Sequence, residues 1–146
     1  MPFAPGTWGA GAALFTFYGL APLGWAAYAL VLGTTLFLGT RAASAAEQHL
    51  GHADDGRIVI DEVVGQLIAL APLVPQARDG APSPYAVILA FLLFRLLDIW
   101  KPGPVRWAER RFKGGIGVMA DDVVAGALAA VSVWLFASVI GVEATP

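Results

Sequence analysis

Apolar residues run along the chain in long blocks broken by short polar interruptions, and the blocks predict helices. From Gly9 to Thr40 nearly every position is apolar or small. At about 1.5 Å of rise per residue this block is too long for one straight helix across an apolar core of about 30 Å. Pro22 and Gly24 interrupt it. The pattern therefore predicts a short helix near 10–21, re-entrant in one reading, and a spanning helix near 25–40; one long kinked helix is the competing reading. Residues 41–57 are polar and alanine-rich, a helical end followed by a loop around Gly56. The next apolar run, 63–74, is bounded by Pro72 and Pro75 and is short enough to be re-entrant or buried. Gly80, Pro82 and Pro84 mark 75–84 as a connecting loop. Pro84 opens the helix Tyr85–Trp100, since its missing N–H costs nothing in a first turn, and Lys101-Pro-Gly-Pro104 ends it. Gly114, Gly115 and Gly117 predict a flexible turn before a last helix over 118–140. No internal repeat, heptad pattern or second domain interrupts the 146 residues, which read as a single domain.

Composition places these helices in a membrane. Hydrophobic residues make up 58% of the chain and charged residues 14%, where soluble domains carry about 25% charged residues. Mean hydropathy is +0.69. The expected fold class is all-α, a compact polytopic helical membrane protein with short or re-entrant helices. No basic stretch precedes the first apolar block as it would in a cleaved signal peptide, so internal segments are expected to direct membrane entry. Cysteine is absent, which excludes disulfides, thiolate catalysis and thiolate metal ligation. His49 and His52 are the only histidines, too few for a site of several imidazoles. The net charge of -2 and the lack of a long basic run exclude nucleic acid as a partner. Lys and Arg are spread over several loops and do not fix an orientation.

Charge then points to chemistry. Asp61-Glu62, Asp98 and Asp121-Asp122 each lie at the edge of an apolar helix or just inside one. A carboxylate at the bilayer centre costs about 2.5–3.5 kcal/mol on insertion scales, so these groups must be paired, metal-bound or at headgroup depth. Carboxylates brought together from separate helices repel, and a bound dication reverses that repulsion. Oxygen ligands without Cys favour Mg²⁺. The plainer reading is that acids at helix starts serve the helix dipole, which would account for both acidic pairs. Asp98 resists it, because it is expected near a helix C-terminus; pairing with Arg95 three residues earlier is its structural alternative.

Arg95, Lys101, Arg106, Arg110, Arg111 and Lys113 fall in one stretch. Arg106 and Arg110 share a helical face. An arginine fork suits phosphate oxygens, and a lysine supplies a point charge. The alternative for Arg110, Arg111 and Lys113 is anchorage to anionic headgroups. Trp100 and Trp107 flank the stretch as interfacial aromatics do. The glycines at 114, 115 and 117 could present backbone N–H groups to a phosphate, and Gly126 reads as a helix-packing position.

Three stretches together resemble the phosphatidylglycerophosphatase A family. They are Pro5-Gly-Thr-Trp-Gly9; Ile58-Val-Ile-Asp-Glu-Val-Val-Gly-Gln66; and Phe94-Arg-Leu-Leu-Asp-Ile-Trp-Lys-Pro-Gly-Pro-Val-Arg106, continuing through Lys113-Gly-Gly-Ile-Gly-Val-Met119 to Asp121-Asp-Val-Val-Ala-Gly126. The resemblance implies a Mg²⁺-dependent phosphatase of the bacterial inner membrane, converting phosphatidylglycerophosphate to phosphatidylglycerol. It implies Asp61, Glu62, Asp98, Asp121 and Asp122 as catalytic residues, with Asp61, Glu62, Asp98 and Asp122 as metal ligands. Arg95, Lys101 and Arg106 are the phosphate-binding candidates, and Asp54, Thr7, Arg110 and Lys113 are accessory candidates. Two departures stand out: Ala10 where the family often has Ser, and Gly103 in place of an aromatic residue. Neither removes a carboxylate.

The expected partners are a phospholipid with a phosphate headgroup and the bilayer, with a second protomer as a further candidate. Attack by water is favoured over a phospho-aspartate, because no aspartyl-phosphate motif is present. Two alternatives stay open: a phosphatase or phosphotransferase acting on another lipid, and a noncatalytic ion-binding or transport module. Basic residues converging on the carboxylates would favour the phosphatase; a continuous polar path through the helices would favour transport.

Overall fold

The structure is a computed structural model and describes residues 5–50 and 59–140. Seven α-helices make up these residues: α1 (Pro5–Leu20), α2 (Trp25–Leu50), α3 (Ile60–Leu70), α4 (Val74–Asp79), α5 (Pro84–Trp100), α6 (Gly103–Arg111) and α7 (Gly114–Ile140). Single 3-10 turns at Ala21–Leu23 and Ala71–Leu73 bridge α1 to α2 and α3 to α4. No strand occurs among the described residues.

The break predicted at Pro22 and Gly24 is real. Pro22 lies inside the 3-10 turn, and Gly24 closes it at φ 89, a left-handed value open to glycine. The one long kinked helix is therefore not formed. Three boundaries differ from expectation. Helix α1 begins at Pro5, five residues before the expected start, because proline is tolerated in the first turn of a helix, whereas α2 runs through the alanine-rich helical end to Leu50 as expected. Pro75 does not end a helix; it sits in the first turn of α4, inside the segment expected to be loop. Gly114–Gly117 form the first turn of α7 instead of a flexible turn.

The short helix α3 is central, packed against α1, α2, α5 and α7. Its Leu67 and Leu70 join Phe17 of α1, Tyr28 of α2, Val87 of α5 and Val133 of α7 in the larger core. The Tyr28 hydroxyl donates to the Leu67 carbonyl at 2.6 Å, satisfying a phenol that is 1% exposed. A second cluster, Ala10, Ala69, Phe94, Val105, Ala125 and Ala129, draws α1, α3, α5, α6 and α7 together.

Helices α2 and α7 are long and apolar enough to cross a membrane, over Trp25–Ala45 and Gly114–Val139. A buried core helix of a soluble protein can have the same length and composition. Here only 17% and 28% of the two spans is buried, and Leu30, Phe37, Trp134 and Phe136 stand exposed on them. On α5, Tyr85, Ile88, Leu92, Leu96 and Ile99 form a further exposed apolar stripe at helical spacing. Apolar surface of this extent calls for a bilayer or a partner.

Candidate active site

Two glycines set the position of the acidic residues. Gly65 follows Asp61 by one turn of α3, and Gly126 follows Asp122 by one turn of α7, so each glycine lies beneath a carboxylate on the same helical face. The helices touch there. A Cβ on Gly126 would collide with the Gly65 carbonyl oxygen, and a Cβ on Gly65 would strike the Phe94 ring and lie 2.8 Å from the Asp122 carbonyl oxygen. Backbone contact at this crossing holds Asp61 and Glu62 beside Asp121 and Asp122, while Phe94 brings α5 and its Asp98 to the same place.

The side chains form a linked polar group. Arg95 Nη1 donates to Asp98 Oδ2 at 2.8 Å and lies 4.0 Å from Glu62 Oε1. Lys101 Nζ donates to Asp121 Oδ2 at 2.8 Å and to Glu109 Oε1 at 2.6 Å. The carboxyl groups of Asp98 and Asp122 are within hydrogen-bonding reach of each other. Asp61 Oδ1 accepts the Glu62 backbone N–H at 2.9 Å. Asp122 is 3% exposed.

Electrostatics follow from this crowding. Burial raises the Asp61 carboxyl to about 6; its backbone hydrogen bonds oppose the rise, and the nearby Asp121 and Asp98 add to it. Burial also raises Glu62 to about 7, aided by the charge of Asp61 and opposed by Arg95. Burial alone would lower the Lys101 pKa, but its hydrogen bonds to Asp121 and Glu109 outweigh that and raise it, so the ammonium stays charged. Lys101 also sits at φ 48 as the C-cap of α5, its N–H bonded to the Leu97 carbonyl. Glycine or asparagine is usual at such a left-handed cap. A lysine there directs its ammonium back to Asp121.

Of the residues singled out from the sequence, Asp61, Glu62, Asp98, Asp121, Asp122, Arg95 and Lys101 are thus brought together. Arg106 and Arg110 are exposed on α6 with Gly103, Trp107 and Arg111 along a shallow groove. Lys113 is exposed after α6, and Thr7 is exposed on α1. Asp54 lies outside the described residues. The helix-dipole alternative holds for Asp61 and Glu62, which occupy the first turn of α3. It does not hold for Asp121 and Asp122, which lie about two turns inside α7. The glycines after Lys113 lie in the first turn of α7, where the Gly117 N–H is bonded to the Lys113 carbonyl, and Gly115 fits closely against Thr40 and Ser44 of α2.

Two polar residues at the site escaped the sequence reading. Glu109 shares Lys101, a partnership visible only once α6 is known to fold back. Gln66 is 0% exposed, and neither its Oε1 nor its Nε2 has a hydrogen-bond partner. It stands one turn after Glu62, whose own Oε2 is buried and unpartnered. A glutamine four residues beyond an acid in an otherwise apolar helix was the available signal. The buried polar residues are Gln66, Asp121 and Asp122 among those described, all within or next to this group. Among the described residues, buried polar side chains therefore gather at this group.

The donors suit a hard dication by their chemistry, since they are carboxylate oxygens and one is buried without a partner. Among the described residues no three such ligands already stand at metal-binding spacing; their spacing is that of the ion pairs with Arg95 and Lys101.

Comparison with known proteins gives a consistent picture. The family model described as Phosphatidylglycerophosphatase A matches residues 1–137. Phosphatidylglycerophosphatase A of Escherichia coli K12 is 37% identical over 129 residues, covering 88% of this chain and 72% of that protein. Its counterpart in Haemophilus influenzae Rd is 36% identical, covering 90% and 77%. A Bacteroides thetaiotaomicron protein, provisionally named a phosphatidylinositol-3-phosphatase, is 44% identical, covering 92% and 86%. No solved structure matches the chain.

Proposed function

The chain belongs to the phosphatidylglycerophosphatase A family, and on that premise we propose that it removes the terminal phosphate of phosphatidylglycerophosphate, giving phosphatidylglycerol and inorganic phosphate, with Mg²⁺ as cofactor. Membership makes the chain a phosphoric monoester hydrolase. The observation that carries the reading is the meeting of carboxylates from α3, α5 and α7 with two cations, Arg95 and Lys101. Phosphoryl transfer needs charge neutralisation and alignment, and this group holds both signs at one place. The bacterial inner membrane is the setting we assign, where the exposed faces of α2, α5 and α7 would meet lipid.

Asp61, Glu62, Asp98 and Asp122 would hold the dication. Mg²⁺ would supply Lewis-acid polarisation of the phosphoryl group and of an attacking water. The guanidinium of Arg95 and the ammonium of Lys101 neutralise phosphoryl oxygens, exchanging part of their present pairing with Asp98 and Asp121 for the substrate. Among the described residues, Glu62 Oε2 is the buried carboxylate oxygen without a hydrogen bond. It is free to take a cation or the proton of the water. The water oxygen bonds to phosphorus, the phosphorus–oxygen bond to glycerol breaks, and the leaving oxygen takes a proton to become the headgroup hydroxyl.

A second substrate class rests on one finding, the relative named for phosphatidylinositol-3-phosphate chemistry. Both lipids present a phosphate monoester beyond a diacylglycerol phosphodiester, so the same charged group suits either. The test is phosphate release by purified protein from each lipid, with Mg²⁺ and with EDTA, beside Asp98→Asn and Asp122→Asn. We expect Mg²⁺-dependent release, faster from phosphatidylglycerophosphate, reduced by about 100-fold or more in both variants, the scale of losing one preorganised charged contact. Folded wild-type protein that releases no phosphate from it in lipid would end the assignment.

A further inference from the structure

The helices α1 and α5 enclose an apolar groove of about 450 Å³, lined by Thr7, Trp8, Gly11 and Leu14 on one side and Val87, Ile88 and Phe91 on the other. Its position relative to the charged group is set by helical periodicity. Val87, Phe91, Arg95 and Asp98 follow one another along a single face of α5. The groove thus leads, within one turn beyond Phe91, to the guanidinium that pairs with Asp98. On α1 the residues run in the opposite sense: Gly9 packs at the site, where a Cβ would lie 3.2 Å from Glu62 Oε2, and Leu14 lies toward the apolar end. Gly11 opens the middle. A Cβ added there would meet nothing within 4 Å, so no close approach requires glycine, and glycine inside a helix is disfavoured relative to alanine. What its lack of a side chain does is widen the groove. Ile88 also belongs to the exposed apolar stripe of α5, so the groove opens sideways onto the surface that faces lipid.

We propose that the α1–α5 groove holds one acyl chain of the phospholipid substrate, entering from the bilayer, while the headgroup phosphate rests at Arg95 and Lys101. The inference builds on the phosphatase reading and adds where the lipid tail is held. An apolar lining selects a hydrocarbon chain, and continuity with Arg95 ties that chain to the reacting headgroup. Bulk at Gly11 therefore acts on lipid binding without touching a carboxylate.

The experiment uses full-length protein in detergent micelles with phosphatidylglycerophosphate bearing a diazirine midway along one acyl chain. Photolysis is run with and without excess unmodified lipid, on wild type, Gly11→Phe and Leu92→Phe. Leu92 lies on α5, exposed and outside the groove. Labelling of the peptides containing residues 7–14 and 87–91 that is competed by unmodified lipid, falls at least fivefold in Gly11→Phe and persists in Leu92→Phe is the expected result. Competed labelling centred elsewhere, labelling that excess lipid does not displace, or equal loss in both variants would overturn the proposal. In the same samples Gly11→Phe should raise KM for the long-chain lipid about tenfold, an unchanged KM counting against the groove. Absence of hydrolysis by the wild type would instead count against the phosphatase reading, while the labelling pattern still decides the groove.

Discussion

At the scale of single residues, Gln66 carries the sharpest conflict between stability and role. A buried amide with neither group paired costs about 1–3 kcal/mol. Gln66→Leu keeps the volume approximately and removes that cost, so metal-free protein should melt at a higher temperature. If the amide serves a ligand beside Glu62, the same variant should lose phosphate release by tenfold or more. A rise in melting temperature with full activity would make Gln66 a defect of packing only. The acids themselves were legible in the sequence, because charge inside an apolar run is conspicuous. Glu109 was not, because an exposed acid on a short polar helix looks ordinary until Lys101 is seen to reach it.

At the scale of elements, the crossing of α3 and α7 decides whether a site exists. Gly126→Ala would place a methyl group against the Gly65 carbonyl. Overpacking of this kind typically costs about 1–3 kcal/mol, and a shift of the two helices would separate Asp61 and Glu62 from Asp121 and Asp122. We expect a lower melting temperature and phosphate release reduced by at least tenfold; thermal unfolding and the phosphate assay on one preparation check both. The sequence marked Gly126 as a packing residue through its small neighbours, but not its partner. Periodicity describes one helix at a time, and Gly65 becomes meaningful only when α7 lies across it. The same limit explains Gly114–Gly117, where three glycines suggested a turn and close packing on α2 made a helix.

At the scale of the whole molecule, the charged group links stability to pH and to metal. Asp61 at about 6 and Glu62 at about 7 stand above their ordinary values of 3.8 and 4.5. Between these values the folded chain keeps protons that the unfolded chain has released, so stability falls as pH rises. The contribution is fully present below about pH 4 and is lost as pH passes through the folded values of about 6 and 7. EDTA-treated protein should therefore melt at progressively lower temperature from pH 4 to pH 8, and Mg²⁺ should restore the loss most strongly at the upper end. A flat profile without metal would show that these carboxyls are not desolvated together. The sequence by itself determined the helical class, the breaks at Pro22 and Pro84, the apolar character of the spans and the list of acids and bases, because local propensity, hydropathy and charge are properties of short segments. The tertiary structure alone decided that Arg95 and Lys101 turn onto the carboxylates while Arg106 and Arg110 stay on the α6 surface, that Gln66 is buried, and that α1 and α5 leave a groove. Those outcomes depend on which helix faces meet, and long-range packing sets that through backbone contact at small residues far apart in the chain.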